Sequence, residues 1–235
     1  MSLARFIRGA EAELRTLKLD RPPLAYVCET GLARDRAEGL WLEFGTGTGS
    51  TARVMCEARQ HGKVYTFDWF KGLPTDWIPE YGVTKGTFAQ PAPTDLPPNA
   101  EIVEGRFEET LAPFLASRPG QRVDLVHIDC DVYTSTRFVL DTLTPRVGTG
   151  TVFVFDELFF FPGREHHEAK ALFEWQRETG QRFEWIGTHG DRRAIDVHFE
   201  ATQNPELRLR NYVGRDRRIM APDLPIMDRA ALVLR

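Results

Sequence analysis

The chain has 235 residues, 42% of them hydrophobic and 27% charged, and a formal net charge of −4 from 30 basic and 34 acidic side chains. That length suits one α/β domain with a sizeable core, and the mixed, near-neutral charge argues against nucleic acid as a partner. Three cysteines, Cys28, Cys56 and Cys130, stand far apart with no CxxC pair, so a disulfide framework or zinc knuckle is not expected and a reducing, cytoplasmic setting is.

In the opening stretch, Leu3, Phe6, Ile7, Ala10, Leu14 and Leu17 fall at helical spacing among charges. This predicts an amphipathic helix, not a signal peptide. No apolar run approaches the roughly 20 residues of a membrane span. After Pro22 and Pro23 a second helix is predicted over 24–37. Residues 1–38 therefore read as a helical cap, covering a cleft or contacting another copy in a homo-oligomer, ahead of a domain at 39–235. Strands and helices then alternate: strand 40–44, helix 50–60, strand 63–68, strand 101–105, helix 107–117, strand 123–129, helix 135–143, strand 150–157 and helix 165–179. Continuous apolar strands alternating with helices predict a mostly parallel sheet covered on both faces, an α/β architecture. Two further strands are predicted at 182–187 and 229–235. The long segment between them reads as a functional or oligomer-contacting excursion. The stretch 69–99, rich in proline, glycine and aromatics, reads as an ordered lid or pocket wall.

The stretch LEFGTGTGST, 42–51, follows a strand and opens a helix. Bare backbone approaches ligands at such places in doubly wound folds. Its glycines, Gly45, Gly47 and Gly49, are spaced G-x-G-x-G. That is neither the dinucleotide G-x-G-x-x-G nor a P-loop. Glu43 precedes the loop and suits an ammonium group. Asp68 ends the next strand and suits ribose hydroxyls. An ammonium, a carboxylate and a ribose without phosphate describe S-adenosylmethionine. Thr46 and Ser50 complete the loop's share of that site.

HIDCD and VFDE place Asp129, Asp131, Asp156 and Glu157 at the ends of the next two strands. The parallel order brings them to the edge that carries the glycine loop. Asp129 and Asp131, as residues i and i+2 of a strand, would face the same side. Acids converging without Lys or Arg in those motifs repel one another. A divalent cation relieves this, and an all-oxygen set favours Mg²⁺ over zinc.

These pieces resemble a known family. LEFGTGTGST looks like motif I of class I S-adenosylmethionine-dependent methyltransferases. FDWFKGLPTDW, KGTF, GRFEETL, HIDCDVYTST and VFDELFFFPG follow in order. Together they resemble the macrocin and mycinamicin-type sugar O-methyltransferase group over about residues 40–187. The resemblance implies a Rossmann-like sheet of order 3-2-1-4-5-7-6 with strand 7 antiparallel. It implies Asp129, Asp156 and Glu157 as Mg²⁺ ligands, with Asp-Glu where many relatives have Asp-Asp. It implies methylation of a hydroxyl on a sugar or natural-product-like acceptor, with Asp129 or Asp131 as the base. Arg106, Phe107 and Glu108 fall at the adenine end. Two alternatives stay open: a hydroxylase-like or otherwise divergent enzyme on the same scaffold, and a non-catalytic S-adenosylmethionine-binding protein. His127 reads as a core histidine. His166 and His167 are expected to overhang the cleft, and Phe159 to Phe161 to wall the acceptor pocket or to bury against the lid.

Overall fold

The computed structural model describes residues 1–79, 82–161, 163–189 and 229–235. Helix α1, Leu3–Leu14, starts at Ser2, whose hydroxyl accepts from the Arg5 N–H, a side-chain cap of an otherwise orphaned donor. Helix α2 is Pro23–Glu29, with proline in the first turn where no donor is lost. It stops well short of residue 37. Gly31 adopts φ 71° just beyond it, and Asp35 and Arg36 are drawn off to pair with Arg59 and Asp124.

From there the sheet is laid down in order: β1 Leu40–Phe44, α3 Ser50–Ala58, β2 Val64–Asp68, β3 Ala100–Glu104, α4 Phe107–Ala116, β4 Val123–Ile128, α5 Tyr133–Leu143 and β5 Val152–Phe155. A 3₁₀ turn, Arg164–His166, precedes α6, Glu168–Thr179, which is why that helix begins later than its periodicity suggests. Strands β6, Phe183–Thr188, and β7, Ala230–Leu234, finish the chain. The excursion expected at 189–226 lies, apart from His189, outside the described residues.

The seven strands stand in the order β3-β2-β1-β4-β5-β7-β6. Strands β1 to β5 pair in parallel, and β7 runs antiparallel to both β5 and β6. The expected fold class and strand order are therefore those observed. Alternate side chains serve opposite faces of the sheet. Leu40, Leu42, Phe44, Phe153 and Phe155 join the core under α1, α5 and α6. Trp41, Leu125, Val152 and Val154 join a second core under α2 and α3. The first two helices thus pack on opposite faces of the sheet: α1 against α6 and β6, α2 against α3, β5 and β7. No helix among the described residues is long and apolar enough to cross a membrane.

Candidate active site

The carboxyl edge of the sheet opens into a cavity of about 300 Å³, within the range of small-molecule sites. Gly45 and Gly47 form one side and Asp68, Trp69, Arg106 and Phe107 another, with Asp129, Asp131 and Glu157 beside them. The strand order makes this meeting place: β1 lies between β2 and β4, so the loops after all three converge.

Gly45 is there because nothing larger fits. Its φ is 100°, and a Cβ would stand 1.8 Å from the Asp129 carbonyl oxygen. The backbone is locked at this crossing by Gly45 N–H donating to Phe67 O (2.9 Å) and Asp129 N–H donating to Phe44 O (2.8 Å). Asp68 closes the loop from the other side. Its Oδ2 accepts from the Thr46 and Gly47 N–H groups, each at 3.0 Å, and its Oδ1 accepts from Phe70 N–H at 2.7 Å. Asp68 lines the cavity as expected, and it also clamps the glycine loop.

Glu43 and Thr46, expected at the cofactor, do not line the cavity. Both are buried beneath the loop, where Glu43 accepts from the Thr66 hydroxyl (2.6 Å) and meets His127 Nδ1 (3.2 Å). The ammonium partner assigned to Glu43 has no access to it in this geometry, because its oxygens are already engaged under the sheet. Gly49 and Ser50 also lie outside the lining. A Cβ on Gly49 would meet Leu96 at 2.4 Å, so this glycine admits the long loop onto the helix start. Phe107 does line the cavity, and its other edge packs on Phe44 at 5.4 Å. Arg106 stacks over Trp69 at 4.1 Å, so this end of the cavity pairs a cation with an indole face.

Residues 69–79 and 82–99 form a wall. Trp69, Leu73, Pro74, Trp77, Phe88 and Gln90 face the cavity. Leu73 and Val83 bury against Val132 at the entry to α5. Leu73 N–H donates to Thr87 O and Gly86 N–H to Leu73 O, both at 2.9 Å. Trp77 sits edge-on to Phe161 at 5.7 Å and to His167 at 6.3 Å. His167 is therefore a buried packing partner of the wall, His166 is exposed, and neither lines the cavity.

The strand-end acids differ most from expectation. Strand β4 ends at Ile128, so Asp129 and Asp131 do not share a strand face. They converge by a tight three-residue turn instead: Val132 N–H donates to Cys130 O (2.6 Å), with Asp131 at φ 62°. Such backbone is strained and recurs at functional sites. Burial, then Asp156, raises the Asp131 carboxyl to about 7. Burial, followed by Asp156 and Asp131, holds the Asp129 carboxyl well above the usual carboxylate range.

Asp156 is not part of the cavity lining. Both its oxygens meet the Arg229 guanidinium: Oδ1 contacts Nε, and Oδ2 accepts from Nη2 at 3.1 Å. The cation absent from the motifs arrives from β7, because pairing Phe155 with Ala230 in an antiparallel ladder sets residue 156 opposite residue 229. Of the expected trio, Asp129 and Glu157 line the cavity and Asp156 does not, although an oxygen of Asp156 lies within 4.8 Å of Asp129 and His127. The residues that share the cavity are Asp129, Asp131 and Glu157, with oxygens within 4.8 Å of one another. Oxygens around Mg²⁺ at about 2.1 Å lie roughly 3–4.2 Å apart, so an all-oxygen trio within 4.8 Å would hold such an ion with at most a small contraction. Sequence reading missed Arg229, Trp69, Trp77, Leu73 and Phe88 as site residues. The antiparallel register of VFVFDE against RAALVL could have found the first, and the aromatic content of 69–99 pointed to the others.

The sheet order, the reversed last strand and the loop and acids at one edge define a Rossmann-like class I methyltransferase fold. Residues 42–158 match the family described as a methyltransferase domain. Over that span the chain is similar to methyltransferases. Among solved structures it is similar to the calicheamicin methyltransferase CalS11, at 22% identity over 66% of this chain and 69% of that one, with a TM-score of 0.50. It is similar also to the O-methyltransferase NovP, at 17% identity over 75% and 74% with a TM-score of 0.48. A third is TomG from Streptomyces achromogenes, involved in tomaymycin synthesis and solved with S-adenosylmethionine, at 15% identity over 99% and 88% with a TM-score of 0.47. At such identities the likeness to CalS11 is one of fold. No curated protein matches.

Proposed function

We propose that this chain transfers the methyl group of S-adenosylmethionine to a hydroxyl of a sugar or natural-product-like small molecule. The observation that carries the reading is the cavity itself, in which the donor loop, Gly45 and Gly47, stands beside the carboxyls of Asp129, Asp131 and Glu157. Asp68, Trp69, Arg106 and Phe107 would hold the donor's adenosine, and Gly45 and Gly47 its methionine part. The acceptor enters between those acids and the apolar wall of Leu73, Pro74, Trp77 and Phe88. A cavity that is acid on one side and apolar on the other suits an uncharged, hydroxylated acceptor.

In the transfer, the acceptor oxygen attacks the sulfonium methyl in line. An O–CH₃ bond forms, the C–S bond breaks and S-adenosylhomocysteine leaves. The hydroxyl proton passes to a carboxylate. Asp131 is the stronger candidate because its carboxyl titrates at about 7, near the pH at which a base must both accept and release a proton. Asp129 lies beside it, its own carboxyl held well above the usual carboxylate range by burial, Asp156 and Asp131. Where Mg²⁺ is present, Asp129, Asp131 and Glu157 would hold it, and its charge, lowering the pKa of a hydroxyl next to it, would take over the part that the raised Asp131 carboxyl plays without it. The wall and the buried floor exclude water and align the two reactants, which supplies much of the rate in a direct displacement.

The test is incubation of the full chain with methyl-labelled donor and a panel of sugars, glycosides and phenolic alcohols, with and without chelation and Mg²⁺ restoration. Label in a methyl ether with stoichiometric S-adenosylhomocysteine is expected, together with a loss of about 10²–10⁴-fold for Asp131→Asn. Label on nitrogen or carbon, or a wild-type rate in Asp131→Asn, would overturn the reading. Unchanged turnover after chelation would remove the metal from it.

A further inference from the structure

Beneath the cavity runs a row of buried polar side chains that the transfer reaction does not touch. Thr66, Glu43 and His127 are side by side on β2, β1 and β4, each in register with the next. All three have no exposed surface, and Thr46 above them is nearly as buried. They occupy the sheet face that otherwise packs Trp41, Val64 and Leu125 against α2 and α3. A charged carboxyl on that face is costly unless its oxygens are met.

The bonds of the row have one direction. As a carboxylate Glu43 only accepts, so the Thr66 hydroxyl donates to its Oε2 (2.6 Å) and His127 Nδ1–H donates to its Oε1 (3.2 Å). The Thr66 proton is then spent. The contact between the Thr46 and Thr66 hydroxyls, 2.5 Å, must therefore have Thr46 as donor. The Thr46 hydroxyl is tied down below while its N–H is held by Asp68 above. Thr46 lies between the two glycines that line the cavity, so its position sets theirs. The far nitrogen of His127, Nε2, is buried without a hydrogen bond and stands 4.0 Å from Asp156 Oδ1. Among the described residues no hydrogen bond carries the row beyond His127 to the Asp156–Arg229 pair.

We propose that His127 and Thr66 are positioning residues for the methyl donor: acting through Glu43 from beneath the sheet, they fix Thr46 and hence the shape of the Gly45–Gly49 loop. The proposal rests on the reading of that loop as the donor site. Removing either donor leaves a Glu43 oxygen unmet and the proton order undefined, so either cut releases the same residue. The two effects should then be coupled, although neither side chain touches the ligand.

The experiment is calorimetric titration of the full chain with S-adenosylhomocysteine, for the wild type, Thr66→Val, His127→Leu, His127→Asn and the Thr66→Val/His127→Leu double variant. Thr66→Val and His127→Leu are each expected to weaken binding about tenfold, the scale of a lost hydrogen bond to a buried charge. The double variant should be no weaker than about the worse single one. His127→Asn, which keeps an N–H near the Nδ1 position, should stay within about threefold of wild type, a rescue that bulk packing at 127 would not produce. Amide exchange at residues 45–47 reads the same loop without ligand and should quicken in Thr66→Val, a near-isosteric change that carries the test if His127→Leu fails to fold. Effects on binding that multiply in the double variant, or unchanged affinity and exchange in folded Thr66→Val, overturn the proposal. A wild type that does not bind S-adenosylhomocysteine overturns the donor assignment instead, and the exchange result still decides the positioning role.

Discussion

The substitution Glu11→Leu tests whether α1 is an integral support of the site. Glu11 is fully buried and Arg164 nearly so. Arg164 Nε donates to Glu11 Oε1, its Nη2 donates to Oε2 at 3.3 Å, and its Nη1 donates to Phe161 O at 3.1 Å. Glu11 also accepts from the N–H of Phe160, which sits at φ 64° in the left-handed region. Removing the carboxylate leaves the buried guanidinium only a longer carboxylate contact, 3.8 Å to the partly exposed Glu165, and breaking such a buried pair costs about 3–5 kcal/mol. For a chain of this size that is a fall of roughly 6–20 °C in the melting midpoint. Replacing both partners, Glu11→Leu with Arg164→Leu, removes the buried charge. What then remains is the unmet Phe160 N–H and Phe161 carbonyl, about 1–3 kcal/mol. The double variant should therefore be more stable than Glu11→Leu alone. Urea unfolding followed by circular dichroism reads all three proteins. A loss below about 1 kcal/mol in Glu11→Leu, or a double variant less stable than the single, would refute the reasoning. The loop at stake reaches the cavity, because Phe161 supports Trp77.

Gly45→Ala should destabilise the chain by more than about 3 kcal/mol and abolish S-adenosylhomocysteine binding, since the new methyl would overlap the Asp129 carbonyl oxygen at a φ of 100°; urea unfolding and calorimetry check it. Asp131 binds its proton more tightly folded, with a pKa raised from 3.8 to about 7, so between those values the native state holds more protons than the unfolded one and stability falls as pH rises, by up to about 1.4 kcal/mol per unit. Melting curves across that window, without divalent cation, should show a shallower slope in Asp131→Asn. All three cysteines are buried, and burial pushes the Cys28 thiol to about 12 and the Cys56 thiol to about 11; a colorimetric thiol reagent should find almost none in the native protein and three in denaturant.

What was legible in the sequence, and what was not, divides by the range of the interactions involved. The glycine loop could be read because a strand, a tight turn and a helix start are consecutive, and each has a local residue requirement. Asp68 could be placed because a parallel sheet puts successive strand ends at one edge. Glu43 could not be placed from its neighbours in sequence. Its side chain turns to the α2 and α3 face with Trp41, and the partners that hold it there, Thr66 and His127, come from the strands on either side. Only the strand order together with the two-residue alternation brings the three into one row. Asp156 shows the same limit at longer range. Beside Glu157 in the sequence it reads as a second metal carboxylate, yet alternation sends neighbouring residues to different places. Its charge is met by Arg229, 73 positions away, through an antiparallel pairing that no local pattern encodes. The acids of this edge thus divide into two sets that composition alone cannot tell apart. Glu43 and Asp156 are bound within the sheet and shape it, while Asp129, Asp131 and Glu157 face the cavity, where a reacting group can meet them.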